Sequence, residues 1–432
     1  MRNVMQAATL ESKFPILAVE HDCIISKDAD ITVAYKVELP ELFTVTRNEY
    51  EAIHSAWAKA VKVLPNYSIV HRQDWFIEEN YTPDIQRDDL SFLSRSFERH
   101  FNERPYLRHT SYLFLTKTTK ERSRTQSNFT ALTRNFIIPK EMQDKDTVTR
   151  FLESCDQFER IINDSGFVRI TRMRKDEITG TENSAGIIEK YFSLSQEETT
   201  CLQDLTLGAA EMKVGDNCLC LHTLSDTDDL PGKVATDMRY ERLSTDRSDC
   251  RLSFAAPIGV LLTCNHIVNQ YLFIDDPAEN LKKFEKQARN MHSLSRYSRS
   301  NQINREWIEE YLNEAHSLGL TSIRAHCNVL AWSDDRNRLK QVKNDVGSQL
   351  ALMECKPRHN TVDTPTLFWA AIPGNAGDFP FEESYYTFIE QALCFFIGES
   401  CSRDSLSPFG IRMVDRLTGK PVHLDISDLP MR

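Results

Sequence analysis

Hydrophobic and polar positions alternate along residues 323–331, a period of two that predicts a half-buried strand. Across residues 339–353 the apolar side chains recur at three- and four-residue steps, which places them on one face of a helix. Residues 367–372 are apolar without interruption, the pattern of a strand covered on both faces. A turn at residues 372–375 follows. We therefore predict a strand, a helix and a strand in the middle of a domain over residues 321–375.

The first part of the chain shows the same two periods in a definite order. Residues 31–172 predict a strand, helix, strand, strand, helix and strand, the order of a ferredoxin-like split βαβ unit with an antiparallel sheet. Asn48 is predicted to cap the first helix, with Glu51 completing a capping box. Asp146 is predicted to cap the second helix, and Gly166 to end it.

The middle of the chain is less regular, and the pattern then returns. Residues 173–252 contain many turn residues and one clear strand, and we interpret them as a β-rich linking or inserted section. Residues 267–372 predict a strand, two helices, a strand, a helix and a strand. Residues 254–264 predict a buried strand and residues 385–396 an amphipathic helix. This half resembles the first in plan, although no residue-level repeat is recognisable.

These elements predict an α+β protein of two ferredoxin-like antiparallel-sheet units, the second elaborated with extra helices. The first helix of the second unit begins at Pro277. Its apolar residues and those of the next helix are predicted to face the core. The chain ends in a predicted hairpin. The expected divisions are the first unit, the linking section, the second unit and the terminal hairpin: residues 1–172, 173–252, 253–405 and 406–432.

Composition narrows the possible functions. The 432 residues are 41% hydrophobic and 27% charged, as in an ordinary globular protein, and the net charge of −11 argues against a general nucleic-acid-binding surface. The 11 cysteines are scattered and odd in number, which favours a reduced, cytoplasmic protein. No apolar run reaches the roughly 18 to 20 residues that span a bilayer. We expect any membrane contact to be made through a partner.

One cluster has the residue types of a metal site. Cys218, Cys220 and His222 share one face of a predicted strand and are suitable zinc ligands. A structural site needs a fourth ligand, and we favour the interpretation that these are buried strand residues. A zinc-dependent hydrolase remains an alternative. The chain contains no P-loop, no Gly-x-Gly-x-x-Gly and no Gly-x-Ser-x-Gly motif, so we predict no catalytic residues and no cofactor in this segment.

Two basic stretches could contact phosphate. Residues 120–135, which include Arg122, are interpreted as a solvated loop or short helix. The second stretch, residues 293–300 with Arg289 and Arg305 on either side, is predicted to connect two helices, and we favour a purely structural role for it. The alternative is a single-stranded DNA-binding module, whose surface would comprise Arg289, Arg296, Tyr297, Arg299 and Arg305.

A series of motifs resembles one family along the whole chain. The motifs occur in this order: Phe14-Pro15-Ile16-Leu17-Ala18-Val19-Glu20, Thr223 to Lys233 with its Leu230-Pro231-Gly232-Lys233 end, Leu272 to Asn280, Ser293 to Asn304, Phe368 to Asn375, and Ser407-Pro408-Phe409-Gly410 through Pro430. In these motifs the sequence is similar to the N-terminal half of TraG-type conjugative-transfer ATPases of conjugative transposons, relatives of the VirB-type type IV secretion ATPases. Pro373, Gly374 and Asn375 form the landmark turn of that family.

The resemblance implies a non-catalytic assembly and docking role. In that family the terminal hairpin leads to a RecA-like motor domain, which opens with a Walker A loop and binds ATP and Mg²⁺. This chain ends before such a loop, and it is expected to be an N-terminal domain truncated before the motor. The implied partners are inner-membrane channel proteins and neighbouring subunits of a homo-oligomer, at the cytoplasmic face of the inner membrane.

Overall fold

The computed structural model describes most of the chain and shows a mixed α+β protein. The described residues are 9–82, 91–120, 122, 142, 144–197, 199, 202–208, 211–294, 298–360, 362–405, 410–425 and 427.

The first half of the fold contains six strands and six helices among the described residues. In chain order they are α1 (Leu10–Lys13), β1 (Ile16–Glu20), β2 (Cys23–Ser26), β3 (Ile31–Glu38), α2 (Arg47–Lys62), β4 (Ser68–Asn80), α3 (Phe92–Phe101), β5 (Pro105–Lys117), α4 (Lys145–Asp164), β6 (Arg169–Arg172), α5 (Lys175–Thr179) and α6 (Ile187–Ser193).

The second half begins with a three-strand meander, like the first. Its elements are β7 (Leu205–Leu207), β8 (Met212–Val214), β9 (Asn217–Leu224), β10 (Asp237–Arg239), β11 (Arg251–Ser253), β12 (His266–Ile274), α7 (Pro277–Leu294), α8 (Arg299–Leu318), β13 (Ser322–Ser333), α9 (Arg336–Leu352), β14 (Arg358–Asn360), α10 (Thr364–Ala370), β15 (Tyr385–Phe388), α11 (Ile389–Leu393), β16 (Ile411–Val414) and β17 (Pro421–Leu424).

One large sheet joins both halves. Its strands lie in the order β1-β2-β3-β5-β4-β12-β13-β9-β8-β7, with β6 also paired to β3, β14 to β9 and β15 to β13. Every pairing in this sheet among the described strands is antiparallel. The α+β class with an antiparallel sheet is therefore confirmed.

The connectivity within the sheet is the same in both halves. In the first half, β3 and β4 both pair antiparallel with β5 between them, and β6 adds beside β3. In the second half, β9 and β12 both pair with β13, and β14 adds beside β9. Each half thus has the strand order of a split βαβ unit preceded by a meander. In the second half, the connection from β9 to β12 consists of short strands and 3₁₀ segments among the described residues, where the first half has the helix α2. The second arrangement begins at β9, because residues 217–224 form a strand of the main sheet within the section interpreted as linking.

The two halves meet at β4 and β12. His266 pairs with Phe76 at one end of the contact and Ile274 with Ser68 at the other. The sheet is therefore continuous across the junction. Corresponding strands of the two halves follow one another in the same order from either end of the sheet. One hydrophobic core covers each face of it.

Two predicted elements on the second half are wrong. Residues 367–372 lie mostly in the helix α10, which starts after Asp363 with a proline in its first turn. A continuous apolar run does not distinguish a buried helix from a buried strand. Residues 385–396 are not a single helix, because Tyr385–Phe388 is a strand paired with β13 and only Ile389–Leu393 is helical.

The structure also corrects the prediction for residues 254–264. They are buried, as expected, but they form turns around a 3₁₀ segment, Ala256–Ile258, rather than a strand. This irregular segment packs against α9, on the face of the sheet where α2 and α4 pack together in the first half. Pro257 lacks an N–H group and therefore cannot take every position of a strand ladder.

β13 is buried along its whole length rather than half-buried. Two of its polar residues are paired with groups from neighbouring segments. Arg324 forms an ion pair with Asp275, with 2.6 Å between Nε and Oδ2, and the His326 ring donates to the carbonyl oxygen of Glu383 at 2.6 Å. Burial lowers the pKa of His326 to about 3, so its ring is neutral.

Helix starts differ slightly from the predicted ones. α2 is capped by Thr46, whose backbone N–H donates to Glu49 at 2.8 Å, rather than by Asn48 and Glu51. α4 is capped by Asp144 instead of Asp146. Both predictions placed the helix about half a turn late, since more than one polar residue near each start was able to cap.

Arg122 corrects the prediction of a solvated basic stretch. Its side chain is only 5% exposed and contacts Asp28 and Asp30 at 2.7 Å each, so it ties the β2–β3 turn in place. Most of residues 120–135, including Arg124 and Arg134, lies outside the described residues.

None of the helices in the described part of the chain combines the length and apolar content that crossing a bilayer requires.

Candidate functional site

The helical hairpin α7–α8 exposes several large apolar side chains. It is inserted between β12 and β13 and packs mainly on itself. Its apolar residues were predicted to face the core, but among the described residues of α8 only Ala315 is buried. Trp307 keeps 59% of its surface exposed. The hairpin therefore presents apolar surface that its own fold does not cover.

A groove of about 630 Å³ runs between this hairpin and the ends of β9 and β15. Its apolar lining is largely aromatic. Phe284 lies 4.9 Å from Tyr311 and 5.0 Å from Tyr386 between ring centroids. The Tyr311 hydroxyl donates to Ser322 Oγ at 2.7 Å, and burial raises the pKa of Tyr311 to about 12. These contacts fix the ring positions before any partner arrives.

The rim of the groove is acidic. Asp226, Asp228 and Glu382 line it, and the lining includes no lysine or arginine among the described residues. Asp226 is paired with Arg358 at 3.1 Å. No ion pair links the carboxylate of Asp228 or of Glu382 to another residue in the described ranges. Two negative charges therefore remain available at the edge of an aromatic surface.

The turn that carries Asp226 and Asp228 is held by contacts of Asp229. Asp229 is buried, and its Oδ2 accepts the backbone N–H groups of Ser225 and Asp226 at 3.1 and 3.0 Å. Its other oxygen lies 3.0 Å from Arg358 Nε. Asp226 and Asp228 are exposed, whereas Asp229 is the internal anchor that holds the turn.

The predicted basic surface is only partly described. Arg289 and Arg299 are exposed on α7 and α8, whereas Arg305 is half-buried and forms an ion pair with Glu309 at 2.7 Å. Arg296 and Tyr297 lie outside the described residues. Arg289 and Arg299 thus lie on the same hairpin and make no ion pair within the described ranges.

Cys218, Cys220 and His222 lie in β9 and are all buried. Burial raises the pKa of Cys220 to about 11 and lowers that of His222 to about 4. The His222 ring packs edge-on against His359, with 5.3 Å between centroids. Within the described ranges, no group of three or more His, Cys, Asp and Glu residues is arranged to hold a metal ion.

A Ser–His–Asp set that the sequence did not indicate lies beside β5. The His109 ring is 3.0 Å from Ser400 Oγ through Nδ1 and 3.1 Å from Asp74 Oδ1 through Nε2. Arg72 also pairs with Asp74, with 3.0 Å between Nε and Oδ2. Burial raises the pKa of Asp74. The interactions with Arg72 and His109 lower it by more, so the net shift of this pKa is downward.

This set is better explained as a structural clamp than as catalytic machinery. The Asp74 carboxylate is shared with a permanent cation, so it has less capacity to stabilise a protonated histidine. The His109 ring is stacked on Phe76 at 4.2 Å, and its side chain is 1% exposed. The Ser400 backbone is bonded to Pro40 and Leu42. The set fastens residues near 400 to the sheet.

The landmark turn is also a packing element. The Asn375 N–H donates to the Ile372 carbonyl oxygen at 2.8 Å, which confirms the predicted turn. Gly374 has a φ of +90° and approaches Ile24 of β2 so closely that an added Cβ would lie 2.5 Å from its Cγ2. The turn therefore joins the second half to the meander of the first. Pro373 and Asn375 are buried with it.

One family model matches the chain, at residues 3–55, and its description is "Domain of unknown function, B. Theta Gene description (DUF3875)". The match covers the meander β1–β3 and the start of α2, so it does not reach the groove. No curated protein matches the sequence.

The groove was missed from the sequence because its aromatic residues have a helical period. Trp307, Ile308 and Tyr311 fall on one face of α8, which predicts a core-facing surface. The only available signal was that the two helices together supply more apolar residues than a hairpin can bury between themselves.

Proposed function

We propose that this chain is a non-catalytic docking and assembly module of a TraG-type conjugative DNA-transfer ATPase. Its partners are inner-membrane channel proteins and neighbouring subunits, and it works at the cytoplasmic face of the inner membrane, where these partners hold it. ATP and Mg²⁺ belong to the motor domain that the resemblance implies. The support comes from the ordered motifs along the chain and from the groove beside α7–α8.

The observation that carries this proposal is the exposed aromatic surface with an acidic rim. Large exposed apolar surfaces mark interaction sites in soluble proteins. Trp and Tyr are the residues that most often dominate binding free energy, because they bury a large area with little loss of conformational entropy. Trp307, 59% exposed beside Phe284 and Tyr311, is in the position of such an anchor.

A capture experiment with the purified channel proteins tests this role. We expect the 432-residue chain to bind at least one of them, and the substitution Trp307→Ala to weaken binding by about 30-fold, as loss of a 2 kcal/mol anchor would. Leu352→Ala is the matched control, because Leu352 is 70% exposed on α9, outside the groove lining.

Each outcome of these experiments bears on a different part of the proposal. Binding that is lost with Trp307→Ala and kept with Leu352→Ala supports docking through the groove. No binding of any channel protein by the wild-type chain contradicts the docking role. ATP hydrolysis by the purified chain, at a rate that follows the protein through purification, contradicts its non-catalytic character.

A further inference from the structure

The insertion α3 carries the most exposed apolar pair among the described residues. Phe92 is 83% exposed and Leu93 is 77% exposed, side by side in the first turn of the helix. Further along α3, Phe97 and Phe101 pack on each other at 4.5 Å and hold the helix together. The first turn is therefore a protruding apolar knob on an ordered helix.

The exposed charge of α3 is positive. Arg95 and Arg99 are exposed and make no ion pair with another residue in the described ranges. The acidic residue of the helix, Glu98, is buried and pairs with Arg412 at 3.0 Å. Phe92, Arg95 and Arg99 follow a spacing of three and four residues, so Phe92 and two cations share one face of the helix, with Leu93 beside it.

This face complements the groove in apolar character and in charge. The groove offers an aromatic surface around Trp307 and a rim with the carboxylates of Asp228 and Glu382. An apolar residue pair flanked by arginines matches aromatic surface flanked by acids, and arginine also stacks favourably on aromatic rings.

α3 and the groove lie at opposite ends of the sheet. β4 and β12 run antiparallel, and α3 follows the end of β4 whereas α7 follows the end of β12. The end of β4 at Asn80 extends beyond the start of β12, while Ile274 at the end of β12 lies beside Ser68. The knob of one chain therefore cannot reach the groove of the same chain.

We propose that the groove binds α3 of a second copy of this chain. This rests on the proposed assembly function and specifies its contact between neighbouring subunits, with which a channel protein bound in the groove would compete. Phe92 and Leu93 enter the aromatic groove, and Arg95 and Arg99 meet Asp228 and Glu382. The contact is heterologous, because each copy uses two different surfaces, so copies add head to tail into a ring or a short chain.

Mixing two complementary variants tests head-to-tail assembly directly. One variant lacks the knob (Phe92→Ser with Leu93→Ser), and the other lacks the groove anchor (Trp307→Ala). By sedimentation velocity across a concentration series, the wild-type chain is expected to grow beyond a dimer. Each variant alone is expected to associate at least about tenfold more weakly. Their equimolar mixture retains one intact contact and is expected to stop at a heterodimer.

Charge reversal supplies an independent arm. Arg95→Glu with Arg99→Glu is expected to prevent association, and mixing with Asp228→Lys and Glu382→Lys to restore it. Leu352→Ser, on an exposed residue away from both surfaces, is the control and is expected to associate as the wild type does. Urea-unfolding midpoints close to that of the wild type establish that every variant folds.

Three results would overturn the inference: a wild-type chain that stays monomeric throughout, variants that associate like the wild type, or mixtures that give no heterodimer. Failure here is distinguishable from failure of the docking role. If the chain stays monomeric but binds a channel protein in a Trp307-dependent manner, the groove docks a different partner and only the self-association is wrong.

Discussion

A buried carboxylate should make the stability of this protein depend on pH. Glu399 is fully buried, and it accepts hydrogen bonds from the Ser253 N–H at 3.1 Å, the Ser253 hydroxyl at 3.0 Å and the Tyr50 hydroxyl at 3.0 Å. Burial raises the pKa of Glu399 from 4.5 to about 7, against the opposing effect of these donors. The perturbation we consider is Glu399→Gln, which keeps the size and an acceptor oxygen but cannot ionise.

The magnitude follows from the two pKa values. The folded state holds the proton more tightly than the unfolded state, so the contribution is fully present below pH 4.5 and is lost as pH rises to about 7. Each pH unit in this window corresponds to about 1.4 kcal/mol, which gives a total of about 3 kcal/mol. The free energy of unfolding of the wild type should therefore decline by that amount relative to Glu399→Gln.

Urea unfolding at several pH values between about 4.5 and 8 measures this difference. We expect the free energy of unfolding of Glu399→Gln, relative to that of the wild type, to rise steadily up to about pH 7 and to stay constant above it. Glu241→Gln is the matched control, because the Glu241 side chain is 75% exposed, and it should follow the wild type. If Glu399→Gln shows the same pH dependence as the wild type, the buried carboxylate is not a proton-binding group in this range, and the reasoning is refuted.

The remaining predictions concern the landmark turn, the thiols and the serine set. Gly374→Ala should lower the free energy of unfolding by about 3 kcal/mol, because of its positive φ and the contact with Ile24. Gly319→Ala, with a φ of +62° and open space, should lower it by only about 1 kcal/mol in the same urea titration. Purified protein should contain no stoichiometric zinc by elemental analysis, and Cys220 should react with iodoacetamide more slowly than the half-buried Cys250 at neutral pH. A fluorophosphonate probe should not label Ser400; labelling that Ser400→Ala abolishes would contradict the assignment of a clamp.

Local elements were predictable where a period and a boundary signal agreed. The helix α9 and the strands β3, β9 and β12 lie close to their predicted positions, because apolar periodicity and the flanking turn residues pointed to the same element. The prediction of a strand over residues 367–372, which lie mostly in α10, failed because an uninterrupted apolar run carries no period. In that case Asp363 and the proline in the first turn were the better guides.

The arrangement of the strands was less accessible than the strands themselves. β9 was found as a strand, yet its pairing with β13 connects residues more than a hundred positions apart, and no local pattern encodes such a partner. The polar residues of β13 predicted that one face of this strand is exposed, because the sequence does not show which distant residues pair with them. Arg324 and His326 are satisfied by Asp275 and by the Glu383 backbone, which the sequence does not place beside them.

The candidate site was the least predictable part. A helix that buries Trp307 in a core and one that exposes it in a groove have the same period, so only the position of α7–α8 outside the main cores distinguishes the two. Cys218, Cys220 and His222 were interpreted as buried strand residues in preference to a zinc site, and all three are buried in β9.

The most direct test of the docking account is site-specific photo-cross-linking from position 307. A photoreactive phenylalanine analogue replaces Trp307 in the 432-residue chain, with Leu352 replaced in the control, and the chain is irradiated with a second, isotope-labelled copy and with the purified channel proteins. The account predicts cross-links from position 307 to α3 of the other copy or to a channel protein, and none of these from position 352. Equal cross-linking from both positions, or none from position 307, would contradict it.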